Sequence, residues 1–282
     1  MRQLLAPLVL IACAAAQDNA VLTRLRAAAE QAPLVVAHRG ASSTHPENTL
    51  AAMRAAVDAG ADLVEFDVYQ TADGAWVCIH DQTVDRTTDA VKRLGRQRIK
   101  VDELTLAEIR ALDAGSWFGA GFADERVPTL AEALAAILPA AVPMIERKGG
   151  DAGALAAELA RLERLDEVMV QAFDWDFLTE LHRVEPRLLI GALGAKELSP
   201  ARHEELSRTG AAIVHWNHGD LTVEAAAAVR AADRLLCVYT VDPDPCLLGA
   251  AAIGCHLVTT NRPARMAELR RRGLLQSRPR TR

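Results

Sequence analysis

Two histidines, Arg39 and a pair of closely spaced carboxylates stand at the ends of apolar runs in this chain, and together they suit cation-assisted hydrolysis. His38 and Arg39 follow Leu34-Val35-Val36-Ala37, Glu65 and Asp67 close the run begun by Ala61-Asp62-Leu63-Val64, and His80 follows Ala75-Trp76-Val77-Cys78-Ile79. A polar group placed where a buried strand emerges from a core faces a site rather than bulk water. Glu65 and Asp67 are one residue apart, so both project from the same strand face while Phe66 points the other way. Two buried anions side by side are costly unless protonated or bound to a cation, and oxygen-only ligands suit Ca²⁺ or Mg²⁺. Imidazole titrates near neutral pH, which makes His38 and His80 candidates for a general acid/base pair. Asp81 either orients His80 or caps the next turn. Glu146 and Lys148 share a face after Val142-Pro143-Met144-Ile145, as a third carboxylate with a cation or as a plain ion pair. Arg39 and Lys148 suit phosphate oxygens, one as a planar fork and one as a point charge, unless Arg39 pairs with Glu47. Gln171 and Phe173, and then Trp216 and Tyr239, fall at later strand ends, where an amide and rings either contact substrate or pack in the core.

The elements that must position these groups alternate. After a lead-in helix near Asp18 to Gln31, strand-like runs recur near 34–38, 62–68, 142–147, 168–172, 188–193, 212–216, 235–241 and 256–260, mostly separated by Ala/Leu/Glu-rich helical stretches. This is the pattern of a parallel α/β fold. A closed barrel is favoured over a dinucleotide-type open sheet, because Gly40-Ala41-Ser42 does not continue as a glycine-rich fingerprint. A further run, 75–79, follows Ala72-Asp73-Gly74, and an Asp-Gly turn would set Asp67 opposite His80 with Cβ atoms roughly 5 Å apart. Residues 82–127 read as an insertion over one barrel rim, with one helix from Leu104 to Leu112 and no second hydrophobic core.

The ordered series His38-Arg39-Gly40, Pro46-Glu47-Asn48-Thr49, Glu65-Phe66-Asp67 and His80-Asp81 resembles the glycerophosphodiester phosphodiesterase family. The resemblance continues through Asp85-Arg86-Thr87-Thr88, Leu112 to Phe118, Glu125 to Leu130, Ile145 to Lys148, Val170 to Asp174 and Thr259 to Pro263, from about Leu34 to about Arg270. It implies a (β/α)8 TIM barrel over residues 33–272 with the site at the C-terminal mouth of the strands. It also implies one divalent cation held by Glu65, Asp67 and Glu146, with His38 and His80 as base and acid in either order. The implied reaction converts a glycerophosphodiester, through a cyclic phosphate, to glycerol 3-phosphate and an alcohol. Arg39, Lys148, Gln171, Phe173 and Tyr239 form the expected substrate-binding set. The chain departs from the family pattern at Arg147 (usually aliphatic), Tyr239-Thr240 (commonly Trp-Thr), Asp242 (commonly Asn) and Asn261 (usually Asp). Two alternatives stay open: a related barrel acting on lysophospholipids, with Trp117-Phe118 and Phe122 as an apolar rim, and a non-catalytic phosphate-binding protein of the envelope.

Composition narrows the partners. The net charge is -5 with a sequence pI near 5.9, and no basic stripe is present, which argues against nucleic acid. Half of the residues are hydrophobic but only 4% aromatic, so Ala, Leu and Val must build the core. Met1-Arg2-Gln3 followed by the apolar run Leu4 to Ala16 reads as an export signal, residues 1–16. Ala14-Ala15-Ala16 offers cleavage before Gln17, whereas Leu10-Ile11-Ala12-Cys13 resembles a lipoprotein box that would tether the protein to a membrane through Cys13. Residues 273–282 read as a disordered tail. Cys78 and Cys237 fall in apolar runs as core thiols, while Cys246 and Cys255 bracket a helix at a separation open to pairing.

Overall fold

The computed structural model of the chain describes residues 19–276. The expected export signal, Cys13 and most of the expected tail lie outside them. Nine strands form one sheet: β1 (Leu34–Ala37), β2 (Leu63–Gln70), β3 (Trp76–Cys78), β4 (Val142–Arg147), β5 (Met169–Ala172), β6 (Leu189–Gly194), β7 (Ile213–Asn217), β8 (Leu235–Tyr239) and β9 (Leu257–Thr260). Eight of them pair in parallel and close on themselves through β1 and β2, giving a (β/α)8 barrel, with helices in the crossovers.

Strand β3 is the exception. β1 stops pairing at Val64, which frees one edge of β2 beyond that point, and β3 takes it in antiparallel register with Val68 opposite Cys78. The turn is one residue longer than the expected two: Ala72, Asp73 and Gly74 form the loop, Gly74 has φ 84°, and the Thr71 N–H donates to the Ala75 carbonyl. The register therefore slips by one, and Ile79 rather than His80 faces Asp67, its N–H 3.0 Å from the Asp67 carbonyl.

Strand alternation divides the core. Leu34, Val36, Leu63, Met144, Met169 and Ile213 fill the lower barrel interior, and Val21 and Leu25 of the helix Ala20–Ala29 close its N-terminal end. Their outward neighbours, such as Val35, Val64, Phe66, Ile145 and Val170, pack under the helices. Two residues above the inward apolar layer come polar residues on the same face: His38 above Val36, Glu65 and Asp67 above Leu63, Glu146 above Met144, Gln171 above Met169 and His215 above Ile213. The period of two thus converts an apolar floor into a polar mouth.

The excursion between β3 and β4 corrects one expectation. It has its own apolar cluster, with Ile79, Val84, Ile99, Val101, Ile109 and Leu112 among its members. These residues lack periodicity because short turns, not one helix, gather them. The helix expected from Leu104 to Leu112 shortens to Leu106–Arg110, opened by a capping box between Thr105 and Glu108. Cys246 and Cys255 are both free thiols, one exposed and one buried.

Candidate active site

At the C-terminal mouth lies a cavity of about 270 Å³ lined from β1, β2 and β4 by His38, Arg39, Glu65, Glu146 and Lys148, with His80 beyond β3. Gln171, Phe173 and Tyr239 line it from β5 and β8. Asp67, fully buried, lies close by with its carboxylate joined to the same cluster. A cleft of about 350 Å³ at the opposite end, lined by Leu25, Leu34, Asp62 and Val142 among others, offers no comparable set of converging titratable groups.

The His38-Arg39-Gly40 turn folds the chain back over β2. Arg39 takes φ 53° and its N–H donates to Glu65 Oε2 at 2.8 Å. Gly40 follows at φ 79°, and a Cβ there would stand 2.5 Å from the Ala52 carbonyl carbon, so only glycine fits. Asn48 braces Asp67 twice: its amide N–H donates to Asp67 Oδ2 at 2.9 Å and its oxygen accepts from the Asp67 N–H at 3.1 Å.

One oxygen each of Glu65, Asp67 and Glu146 is buried without a hydrogen-bond partner, and ligand atoms of the three residues lie within 4.8 Å of one another. Lys148 Nζ stands 2.5 Å from Glu146 Oε1 and 3.4 Å from Asp67 Oδ1, so of these three oxygens only Glu65 Oε1 has no cationic partner among the described residues. Burial, then repulsion by Asp67 and Glu146, pushes Glu65 well above the usual carboxylate range. Burial and Asp67 push Glu146 up to about 7, with Lys148 partly offsetting them. Burial acts on Asp67 in the same direction, but Lys148, Arg39 and His80 outweigh it and hold its carboxyl below the usual range. Three buried carboxyl groups with converging oxygens, two of them pushed up by burial and mutual repulsion, form the oxygen donor set that a hard divalent cation fits.

The two histidines are held differently. His38 Nδ1 lies 2.7 Å from Asn261 Oδ1, and the Asn261 amide donates to Asp242 Oδ2 at 2.7 Å, which fixes which end of the amide faces His38. His38 therefore carries its proton on Nδ1 and leaves Nε2 as an acceptor. Burial, reinforced by Arg39, lowers its pKa. His80 Nδ1 lies 2.7 Å from Asp81 Oδ1, a carboxylate that Arg86 grips through two N–H groups. Arg86 also forks onto Glu47, which in turn accepts from Arg39, so a chain of charges runs from Arg39 to His80. Glu47 thus pairs with Arg39 while Arg39 Nε still stands 3.3 Å from Asp67 Oδ2.

On the other side, Tyr239 donates to the Gly194 carbonyl at 2.9 Å and meets Phe173 edge to face at 6.0 Å. Phe173 is 51% exposed at the mouth. Trp216 is fully buried with its N–H on the Lys196 carbonyl, a core residue. Arg147 points out of the barrel onto the Phe177 ring and the Gly150 carbonyl, so Glu146 stays buried despite the charged neighbour. Arg86, Asn48 and His215 have no role in the sequence reading, and Asp242 figures there only as a departure from the family pattern. Asn48 and Arg86 lie inside motif stretches, and His215 alternates inward two residues after Ile213, a parity signal that was present.

A closed barrel with two imidazoles beside a buried carboxylate cluster at its C-terminal mouth carries its titratable groups where enzymes of this fold place their active sites. The chain matches the glycerophosphoryl diester phosphodiesterase family over residues 38–265 and belongs to it. It is an enzyme of that family. It is 34% identical to a glycerophosphodiester phosphodiesterase of Caldanaerobacter subterraneus over 247 residues, covering 85% of this chain and 98% of that protein. It is 31% identical to one of Bacillus subtilis over 253 residues, covering 82% and 84%. The solved structure of an Oleispira antarctica phosphodiesterase in complex with the product sn-glycerol-3-phosphate is similar, with TM-score 0.76 and 27% identity over 84% of this chain and 96% of that one.

Proposed function

We propose that this protein hydrolyses glycerophosphodiesters to glycerol 3-phosphate and an alcohol with the help of one divalent cation, Ca²⁺ or Mg²⁺. The observation that carries this is the convergence of three buried carboxyl groups, whose ligand oxygens lie within 4.8 Å of one another, with two imidazoles at one small cavity. Glu65, Asp67 and Glu146 would hold the cation, which supplies Lewis-acid stabilisation of phosphoryl charge. Arg39 and Lys148 flank the phosphate and neutralise its oxygens.

The hydrogen-bond partners divide the labour between the histidines. His38, neutral with Nε2 free, takes the proton from the glycerol 2-hydroxyl as its oxygen attacks phosphorus. His80, oriented by Asp81 at its Nδ1, gives a proton to the departing alcohol oxygen as the P–O bond breaks. The resulting cyclic phosphate is opened by water with the roles reversed, restoring both histidines. Phe173 and Tyr239 border the leaving alcohol at the open mouth.

The test is glycerol 3-phosphate release from glycerophosphocholine, with EDTA and with each cation restored, alongside His38→Ala and His80→Ala. Each variant should lose about 10² to 10⁴ in turnover. With glycerol 3-(4-nitrophenyl phosphate), whose leaving group needs no proton, the release of 4-nitrophenolate should recover in His80→Ala but not in His38→Ala; equal rescue of both would refute the division.

A second reading, lysophospholipid hydrolysis, is favoured by one feature. Trp117 and Phe118, 41% and 36% exposed, continue edge to face through Phe122 to His45 in the loop after β1. Comparable turnover of lysophosphatidylcholine and glycerophosphocholine would select it.

Export, by cleavage before Gln17 or lipidation at Cys13, is proposed from the sequence of residues 1–16 alone. Among the described residues no helix is long and apolar enough to cross a membrane. The mass of the mature N-terminus separates the two routes.

A further inference from the structure

Beside the carboxylate cluster runs a buried polar relay that the chemistry above does not use. His215 on β7 reaches Gln171 on β5, with Nδ1 2.7 Å from Gln171 Oε1. On its other side, His215 Nε2 lies 3.0 Å from Thr259 Oγ1, and Thr259 is 3.5 Å from Cys237 Sγ. The intervening strand β6 contributes Gly191 in register with Gln171, and a Cβ there would stand 3.4 Å from Gln171 Cβ and 2.1 Å from Met169 Cε. The missing side chain is what lets residues of β5 and β7 meet across β6. Gln171 is fully buried, His215 is 1% exposed, and both line the cavity. Gln171 Nε2 has no hydrogen-bond partner.

An uncharged imidazole has one N–H, so the relay has a direction. With Gln171 Oε1 as acceptor, His215 holds its proton on Nδ1 and accepts from the Thr259 hydroxyl through Nε2. The opposite direction would turn the Gln171 carbonyl toward Glu146, its register partner in the carboxylate cluster, setting dipole against charge. The NH2-outward arrangement sets attraction in its place. A buried donor left unmatched is costly, and Gln171 lines the cavity, so its unpartnered NH2 is a donor that a ligand oxygen there would satisfy.

We infer that His215 is a positioning residue that locks the Gln171 amide with its NH2 toward the cavity, and that this NH2 donates to an oxygen of the glycerophosphoryl group. The inference rests on the substrate class proposed above. It makes Gln171 a contact to the half of the substrate that all glycerophosphodiesters share, independent of the alcohol released.

Two measurements on the full chain test it. Long-range ¹⁵N–¹H spectra of the histidine side chains should show His215 protonated on Nδ1; an Nε2-protonated His215 overturns the lock. Gln171→Glu keeps the acceptor for His215 and removes the donor, so kcat/KM should fall about 10- to 100-fold, the scale of one hydrogen bond to a charged group, and equally on glycerophosphocholine and glycerophosphoethanolamine. A loss that depends on the alcohol, or no loss, overturns the contact. His215→Phe should lower kcat/KM in the wild-type background and add nothing to Gln171→Ala; additive losses overturn action through Gln171. No turnover of either substrate by the cation-loaded wild type would refute the functional reading instead, and the tautomer would still decide the lock.

Discussion

The side-chain oxygen of Asn261 lies 2.7 Å from His38 Nδ1, and the negative charge that anchors this amide sits one residue further out, on Asp242. The family resemblance implies the opposite arrangement, with the acid at 261 and the amide at 242. The hydrogen bond that sets the His38 tautomer is therefore kept while the charge is moved away from the ring, and burial with Arg39 lowers the His38 pKa. Exchanging the pair, Asp242→Asn with Asn261→Asp, should return the charge to the imidazole. The acid limb of kcat/KM should then move up by roughly 1 to 2 pH units, the usual effect of an opposite charge at contact distance. A limb that stays in place would show that His38 is not the group it reports.

Cation binding should release protons. Glu146, raised to about 7, and Glu65, raised well above the usual carboxylate range by burial and its neighbours, carry protons at mildly acidic pH in the metal-free protein. A bound dication needs them ionised, so affinity for Ca²⁺ or Mg²⁺ should fall as pH drops below about 7. Calorimetric titrations near pH 6 in buffers of different ionisation enthalpy should show proton release, and Glu65→Gln should weaken binding and reduce it. Binding heats independent of buffer would contradict this linkage.

Most of the barrel was legible in the sequence because its strands are buried on both sides and read as continuous apolar runs, each ending where polar residues begin. Glu65 and Asp67 were legible for the same reason: Leu63-Val64 and Phe66 leave no solvent-facing alternative for that strand. Three features were not. The β2–β3 register depends on whether Ala72 belongs to the turn, which Asp73-Gly74 does not decide. The apolar cluster around Ile99 and Ile109 is assembled by tertiary contacts between short segments without a period. Arg86 and Asp242 reach the site through loops, and nothing local in the sequence shows what a loop side chain touches.

Acidification should unfold the protein partly through His215. Full burial, with a lesser push from the charge of His38, lowers its pKa from 6.5 to about 3. The unfolded chain therefore takes up this proton first. Stability attributable to a neutral His215 is complete above about pH 6.5 and is lost as pH falls toward about 3, by about 1.4 kcal/mol per pH unit within that window. Glu65 and Glu146 act in the opposite sense in metal-free protein, because their raised pKa values favour the folded state as pH falls. Urea midpoints of wild type and His215→Gln, compared from pH 7 to pH 4.5, cancel that contribution, and the gap between them should narrow with acidification. A constant gap would place the charge of the buried imidazole elsewhere than in this balance.

Arg86 should matter to turnover although it makes none of the substrate contacts proposed. It is 45% exposed in its side chain, yet its guanidinium holds Glu47 and Asp81 at once, and Asp81 is the group that orients His80. Losing it would leave Asp81 free to turn from the imidazole and Glu47 held by Arg39 alone. Arg86→Ala should lower kcat by about 10-fold, below the cost of removing an acid/base group, with little change in KM because Arg39 and Lys148 remain in place. Arg86→Lys keeps the charge but not the fork and should recover only part of the loss. The loss should shrink on glycerol 3-(4-nitrophenyl phosphate), where protonation of the leaving group no longer limits the rate. If Arg86→Ala is equally slow on both substrates, its role is to support Glu47 and Arg39 rather than His80.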